Sequence, residues 1–217
     1  MAPPRKTRKP NPSLGSRADV VRRNPTIARP PTGPIERLVE AVLCDVGEDV
    51  NREGLRATPV RVARMYREVT EGYRVDPRTV INDALFAVDY DEMIVVKDID
   101  YFSLCEHHLL PFFGRALVAY IPDGKIIGLS RIPRVVELFA RRLQVQERMT
   151  KQIADLLQEV LQPKGVGVVI EGAHMCAIMR GVEKPNARMI TSAMLGGFRE
   201  NAKTRAEFMG LIGRSVG

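Results

Sequence analysis

The chain has 217 residues, 45% of them apolar, enough for one ordinary domain with a real core. No apolar run approaches the ~18 residues that a membrane span needs. The first thirty residues lack the apolar segment of a secretory signal, and three cysteines cannot all pair within one chain, so the reading is a reducing, cytoplasmic setting. The net charge of +7 suggests nucleic acid, but residues 1–34 carry eight Lys/Arg against the single acid Asp19, while the remainder balances 25 against 25. That neutrality argues against a basic docking face.

Residues 1–34 also hold eight of the 15 prolines. This predicts a disordered basic tail, read as a solvated extension, with weak polyanion binding or an organellar presequence as alternatives. One folded domain, 35–217, follows, with N-terminal helices over 35–75 and a core over 90–217. "PIERLVEAVLCDVGED" sets Ile35, Leu38, Val39, Val42 and Leu43 at helical spacing. Cys44, near its end, reads as a buried small apolar residue. "ATPVRVARMYREVTEGY" predicts a second helix, with Thr58 as cap and Pro59 in the first turn. Residues 60, 62, 65 and 66 form its inner stripe and Arg61 falls outside it.

From residue 92 the texture turns β-branched and aromatic. "EMIVVKDIDYFSLCEHH" and "FFGRALVAYIPDGKIIGLS" read as strands, with Pro-Asp-Gly as a turn. Helix signals return in "SRIPRVVELFARR", with Ser130 as cap candidate and Pro133 in the first turn. They continue in "QVQERMTKQIADLLQEVLQ", which sets Met149, Ile153, Leu156, Leu157 and Val160 on one face before Pro163. "GVGVVIEGAHMCAIMR" and "ARMITSAMLG" read as strands and "NAKTRAEFMGLI" as a closing helix. The order predicts an α+β fold, an antiparallel sheet with helices on one side.

All three histidines and two of the three cysteines fall in two short clusters, "SLCEHHLLPF" and "GAHMCAIMR". On a strand His174 and Cys176 project to one face, with Met175 turned away. Cys105 and His108, three apart, suit a turn at a strand end. Imidazole and thiolate are zinc ligands, and three protein ligands leave the open position of a catalytic metal. Histidines left over suit proton transfer. Spacing permits Cys105 with His107 as readily as with His108. A Cys105–Cys176 disulfide, a closed structural zinc and a metal-free core cluster are the competing readings.

The runs "CEHHLLPFFGRALVAYIPDGKIIGLSRIPRVVELFARRLQVQERMTKQIADLL", "GAHMCAIMRGV" and "TSAMLGGFRENAKTRAEF" resemble GTP cyclohydrolase I, from about Ile35 to Ile212. The resemblance implies zinc-dependent conversion of GTP and water to 7,8-dihydroneopterin triphosphate and formate, at the start of folate or tetrahydrobiopterin synthesis. It also implies the tunnelling fold, in which sheets of several subunits close a barrel, and a homodecamer of two pentamers with sites at subunit junctions. The zinc ligands become Cys105, His108 and Cys176, leaving His107 and His174 for proton transfer. In this picture the zinc supplies an activated water for guanine C8, His174 protonates the ring nitrogen, and His107 assists sugar opening.

Glu147 is implied to accept from the guanine N1–H and 2-amino group, which would reject adenine. Gln146 would support the base, and Leu129 and Val145 would wall the pocket. Ser130, Arg131, Arg134, Arg180 and Arg61 match the triphosphate and ribose end, where guanidinium forks suit phosphate. Arg131 departs from the Lys found in many relatives. Of three rivals, a zinc nucleobase deaminase lacks its His-x-Glu and Cys-x-x-Cys signature. A sister tunnelling-fold activity is disfavoured by the intact His-His pair together with Glu147. A nucleic-acid binder is disfavoured by the neutral core.

Overall fold

The structure is a computed structural model that describes residues 33–81 and 84–212. The basic segment of residues 1–32 therefore lies outside the described residues. The chain forms two compact units, one ending at Ala63 and one beginning at Arg64.

The first unit holds α1 (Pro34–Asp45) and the start of α2 (Thr58–Val69). The Glu36 carboxylate accepts from the Gly33 N–H at the head of α1, and Pro34 opens its first turn, where no N–H is required. Two of the apolar positions that the periodicity marks, Leu38 and Val42, are 66% and 60% exposed in a single chain. Cys44 is exposed as well, which corrects the expectation of burial. It lies one residue from the end of α1, where the helix stops covering its neighbours. On α2 the buried positions are Pro59 and Ala63. Val60 and Met65, assigned to the inner stripe, are exposed, so the stripe is rotated from the expected one.

The second unit is built on a five-stranded sheet of order β5-β2-β3-β6-β7. Its strands are β2 (Ile94–Cys105), β3 (Pro111–Ile121), β5 (Leu143–Gln144), β6 (Gly165–His174) and β7 (Met189–Gly196). All pairings are antiparallel except the short β2–β5 one. Alternation along β3 sends Ala116, Val118 and Tyr120 to one face and Leu117 and Ala119 to the other. The first face packs on α4 (Arg131–Ala140) and α5 (Gln146–Leu161). Met149, Ile153 and Leu157 of α5 are wholly buried there, each stabilising the fold by about 1.5–3 kcal/mol.

The second face receives Phe198 of α7 (Gly197–Glu200) and Phe208 of α8 (Ala202–Ile212), whose rings meet edge to face. The closing helix thus lies over the face opposite α4 and α5, a second helical cover beyond the single layer expected. Gly167 makes room for it, since a Cβ there would press on both rings.

Short elements complete the unit. They are a 3₁₀ turn at Glu71–Tyr73, α3 (Pro77–Ile81), and β1 (Leu85–Ala87) paired with β4 (Lys125–Ile127). Ser130 occupies the N-cap position of α4, but its side chain makes no capping bond. Its backbone is already helical, with φ −65° and ψ −14°, so the hydroxyl is not aimed at the helix N–H groups. No helix among the described residues is long and apolar enough to cross a membrane.

Candidate active site

The first cluster forms the β2–β3 turn. Leu109 N–H donates to Cys105 O (2.8 Å), Cys105 N–H to Leu110 O (2.9 Å), and Glu106 N–H to Gln144 O (3.0 Å). Leu109 adopts φ 56°, a left-handed conformation that costs a branched residue about 1–3 kcal/mol. The ladder and the Gln144 contact hold it, and the turn projects three side chains in succession. Glu106 is fixed by an ion pair to Arg148 of α5, and that hydrogen bond holds its carboxyl below the usual range.

The second cluster departs from its expectation. β6 ends at His174, and Met175–Ile178 form the one-turn helix α6. Cys176 is therefore on a helix, and the same-face rule for strands does not apply to it. It still reaches the first cluster. The donor atoms of Cys105, His108 and Cys176 lie within 4.8 Å of one another. Among the described residues they form the one such group of three. Bond lengths of about 2.3 Å to sulfur and 2.0 Å to nitrogen set the donors of a tetrahedral zinc roughly 3.5–3.8 Å apart. Cys105 Sγ and His108 Nδ1 stand 3.8 Å apart. His107 Nδ1 is equally close to Cys105, at 3.8 Å, but is not part of the trio. Of the two imidazoles that spacing left open, His108 is the one grouped with Cys176.

Burial, and then the neighbouring Cys105, push the Cys176 thiol upward; Arg180 opposes this. Two thiolates side by side are costly without a cation, and a divalent metal reverses that cost. Two thiols and an imidazole fit a zinc-type ion in donor chemistry, and the Cys105–His108 separation matches its coordination shell. The cysteines are free thiols.

His174 ends β6, two residues before Cys176. It is the register partner of Phe112 across β3–β6, and the two rings stack at 4.6 Å and 5°. Its Nε2 is 3.0 Å from Gln146 Oε1. Burial lowers its pKa, and the charge of Glu147 works in the opposite direction. Gln146 is wholly buried. Its amide nitrogen, with two N–H groups to share, faces three acceptors, Ile170 O (3.0 Å), Met189 O (3.0 Å) and Thr191 Oγ1 (3.1 Å). Its carboxamide is thus engaged by the protein. The Tyr101 hydroxyl lies 3.4 Å from Gln146 Oε1 and 3.3 Å from Glu171 O. Burial raises its pKa above the ordinary phenol value, with the Glu171 charge adding to the effect, so it remains a hydroxyl. Neither Tyr101 nor Phe112 carries a local sequence signal for this role; strand register alone brings them here.

The remaining residues occupy the following places. Glu147 is exposed in the first turn of α5, and Val145 is its half-buried N-cap. Leu129 is 69% exposed, immediately before Ser130. Arg131 donates to Val80 O (3.4 Å). Arg131 and Arg134 line a groove of about 320 Å³ with Arg141, Glu71 and Glu137. Arg180 is exposed just beyond α6. His107 is largely exposed and near Glu106. Arg61 is exposed on α2 within the first unit.

Residues 35–213 match the family model for GTP cyclohydrolase I. The chain belongs to the GTP cyclohydrolase I family. It is 61% identical over 181 residues to GTP cyclohydrolase 1 of Chlorobaculum tepidum, covering 83% of this chain and 81% of that one. It is 60% identical to the Chlorobium phaeovibrioides protein of the same name, with 85% and 84% covered. Identity to the Gloeobacter violaceus protein, also named GTP cyclohydrolase 1, is 55%, with 82% and 84% covered. Membership in the GTP cyclohydrolase I family makes the chain an enzyme, a hydrolase, and its α+β architecture is the tunnelling fold of that family.

Proposed function

We propose that the chain converts GTP and water to 7,8-dihydroneopterin triphosphate and formate, with Zn²⁺ held by Cys105, His108 and Cys176. The observation that carries this is the convergence of those three donors, in a member of this family. Zinc would supply Lewis acidity and an activated water there. His174, held between Phe112 and Gln146, donates a proton to the guanine ring nitrogen as the imidazole opens. His107, on the exposed side of the turn, serves proton transfer at the ribose.

Glu147 accepts from guanine N1–H and the 2-amino group, a donor pair that adenine lacks. Gln146 supports the base end by holding His174, while Leu129 and Val145 wall it. Ser130, Arg131, Arg134, Arg180 and Arg61 take the triphosphate and ribose. Guanidinium forks are suited to its roughly four negative charges.

The assembly read with this function is a homodecamer of two pentamers. In support, β7 is a sheet edge, and Ile190 on it and Phe102 on β2 are 66% and 71% exposed, surface that a subunit would cover. The enzyme would act in the cytoplasm, at the start of folate or tetrahydropterin synthesis.

Cys176→Ser tests the reading. The expected outcome is loss of stoichiometric zinc and of formate release from GTP with the fold retained. A variant that keeps both zinc and full turnover overturns the ligand assignment.

A further inference from the structure

The hydrogen bonds around Gln146 have a fixed polarity. Backbone carbonyls only accept, and two of them, Ile170 O and Met189 O, each lie 3.0 Å from the Gln146 amide nitrogen. Turning the amide over would set its oxygen against both, an unpaired and repulsive arrangement in a buried site. The hydroxyls agree. Thr150 donates to Gln146 O (2.7 Å), so the 2.6 Å bond between Thr150 and Thr191 is donated by Thr191. Thr191 then has a lone pair to accept from Gln146 Nε2. The chain of bonds closes on Gln146 itself and leaves one orientation for its carboxamide.

Gln146 Oε1 therefore faces His174 Nε2 at 3.0 Å. An amide oxygen cannot donate, so the imidazole must. The Tyr101 hydroxyl agrees with this orientation, since its single proton lies between two acceptors, Gln146 Oε1 (3.4 Å) and Glu171 O (3.3 Å). The parallel stack on Phe112 holds the ring plane, and Gly172 leaves the space in which the Gln146 and Tyr101 polar atoms meet.

We infer that Gln146 is a positioning residue that fixes His174 as its Nε2–H tautomer and so makes Nδ1 the nitrogen that exchanges protons with substrate. The inference rests on the proposed role of His174 in ring opening. The proton balance is simple. The imidazolium gives its Nδ1 proton to the guanine nitrogen as the ring bond breaks, and the neutral imidazole left behind keeps its Nε2–H on Gln146.

The test uses the full-length, zinc-loaded protein labelled with ¹⁵N-histidine. With three histidines in the chain the imidazole spectrum is simple, and His174→Ala assigns the His174 signals by their loss. The expected spectrum above neutral pH shows His174 protonated at Nε2 and bare at Nδ1. A proton at Nδ1 overturns the inference, and the spectrum that decides it is that of the wild type.

Gln146→Met supplies the second readout. We expect kcat to fall at least about tenfold, a part of the roughly 10²–10⁴-fold that general acid–base catalysis contributes, with zinc content kept and KM for GTP little changed. An unchanged kcat, or a raised KM with kcat intact, overturns the inference, the latter by making Gln146 a direct contact of the base. If the wild type releases no formate from GTP, the functional reading fails, while the tautomer measurement still decides the role of Gln146.

Discussion

His107 and His108 are adjacent and lie at the same 3.8 Å from Cys105, yet only His108 joins Cys176. In the proposed reading their division of labour is set by a third residue, Cys176, which lies 68 positions beyond His108. His174 is held on two sides, by a stacked ring and by an amide oxygen, which is how a proton donor is kept in one geometry. His174→Ala is expected to retain stoichiometric zinc and to lose roughly 10²–10⁴-fold in formate release. Metal analysis together with a turnover assay checks this. Loss of zinc from a folded His174→Ala protein would mean that ligand and acid have been exchanged. Residue types and their clustering were legible in the chain. Phe112 and Gln146 were not read as partners of His174, nor Tyr101 as a partner of Gln146, because strand register or helix placement brings each there, which no local pattern encodes.

At the scale of elements, the site sits where β6 gives way to α6 and where β2 turns into β3. Long periodic segments such as β2, β3, α4 and α5 were readable, because several successive residues repeat one burial preference. The pieces of three to five residues, α3, β1, α6 and α7, carry too few positions for any period to show. Reading "GVGVVIEGAHMCAIMR" as one strand failed for that reason at Met175. Cys44 and the α2 stripe were misread for another. Periodicity identifies an apolar face but not whether a single chain covers it.

Gly172 tests the packing between elements. A Cβ there would fall inside van der Waals contact with Gln146 Oε1 and the Tyr101 hydroxyl. Gly172→Ala should therefore destabilise by about 1–3 kcal/mol, a drop in Tm of roughly 2–12 °C for a chain of this size, and should slow turnover while leaving zinc bound. Thermal melting beside metal analysis reads both; a variant as stable and as fast as the wild type would show that the crowding is relieved without consequence.

For the molecule as a whole, charge is divided unevenly. The positive excess lies in residues 1–34, and the remainder is neutral. Any attraction for the triphosphate would therefore come from the individual guanidinium groups proposed for it, not from a general basic field. Removing residues 1–34 is expected to leave formate release and its salt dependence unchanged. Loss of function with that segment would favour polyanion binding by the tail. The exposed edge of β7 and the open apolar positions of α1 were not legible from sequence alone. Alternation and helical spacing specify which side chains share a face, while what lies against that face depends on the assembly.

The measurement that bears most directly on the central claim is formate release from GTP, with ATP as control, before and after chelation and after zinc is restored. We expect release from GTP alone, abolished by chelation and recovered with zinc. Formate that persists after complete removal of metal, or none at all from the intact zinc-loaded protein, would contradict the proposed function.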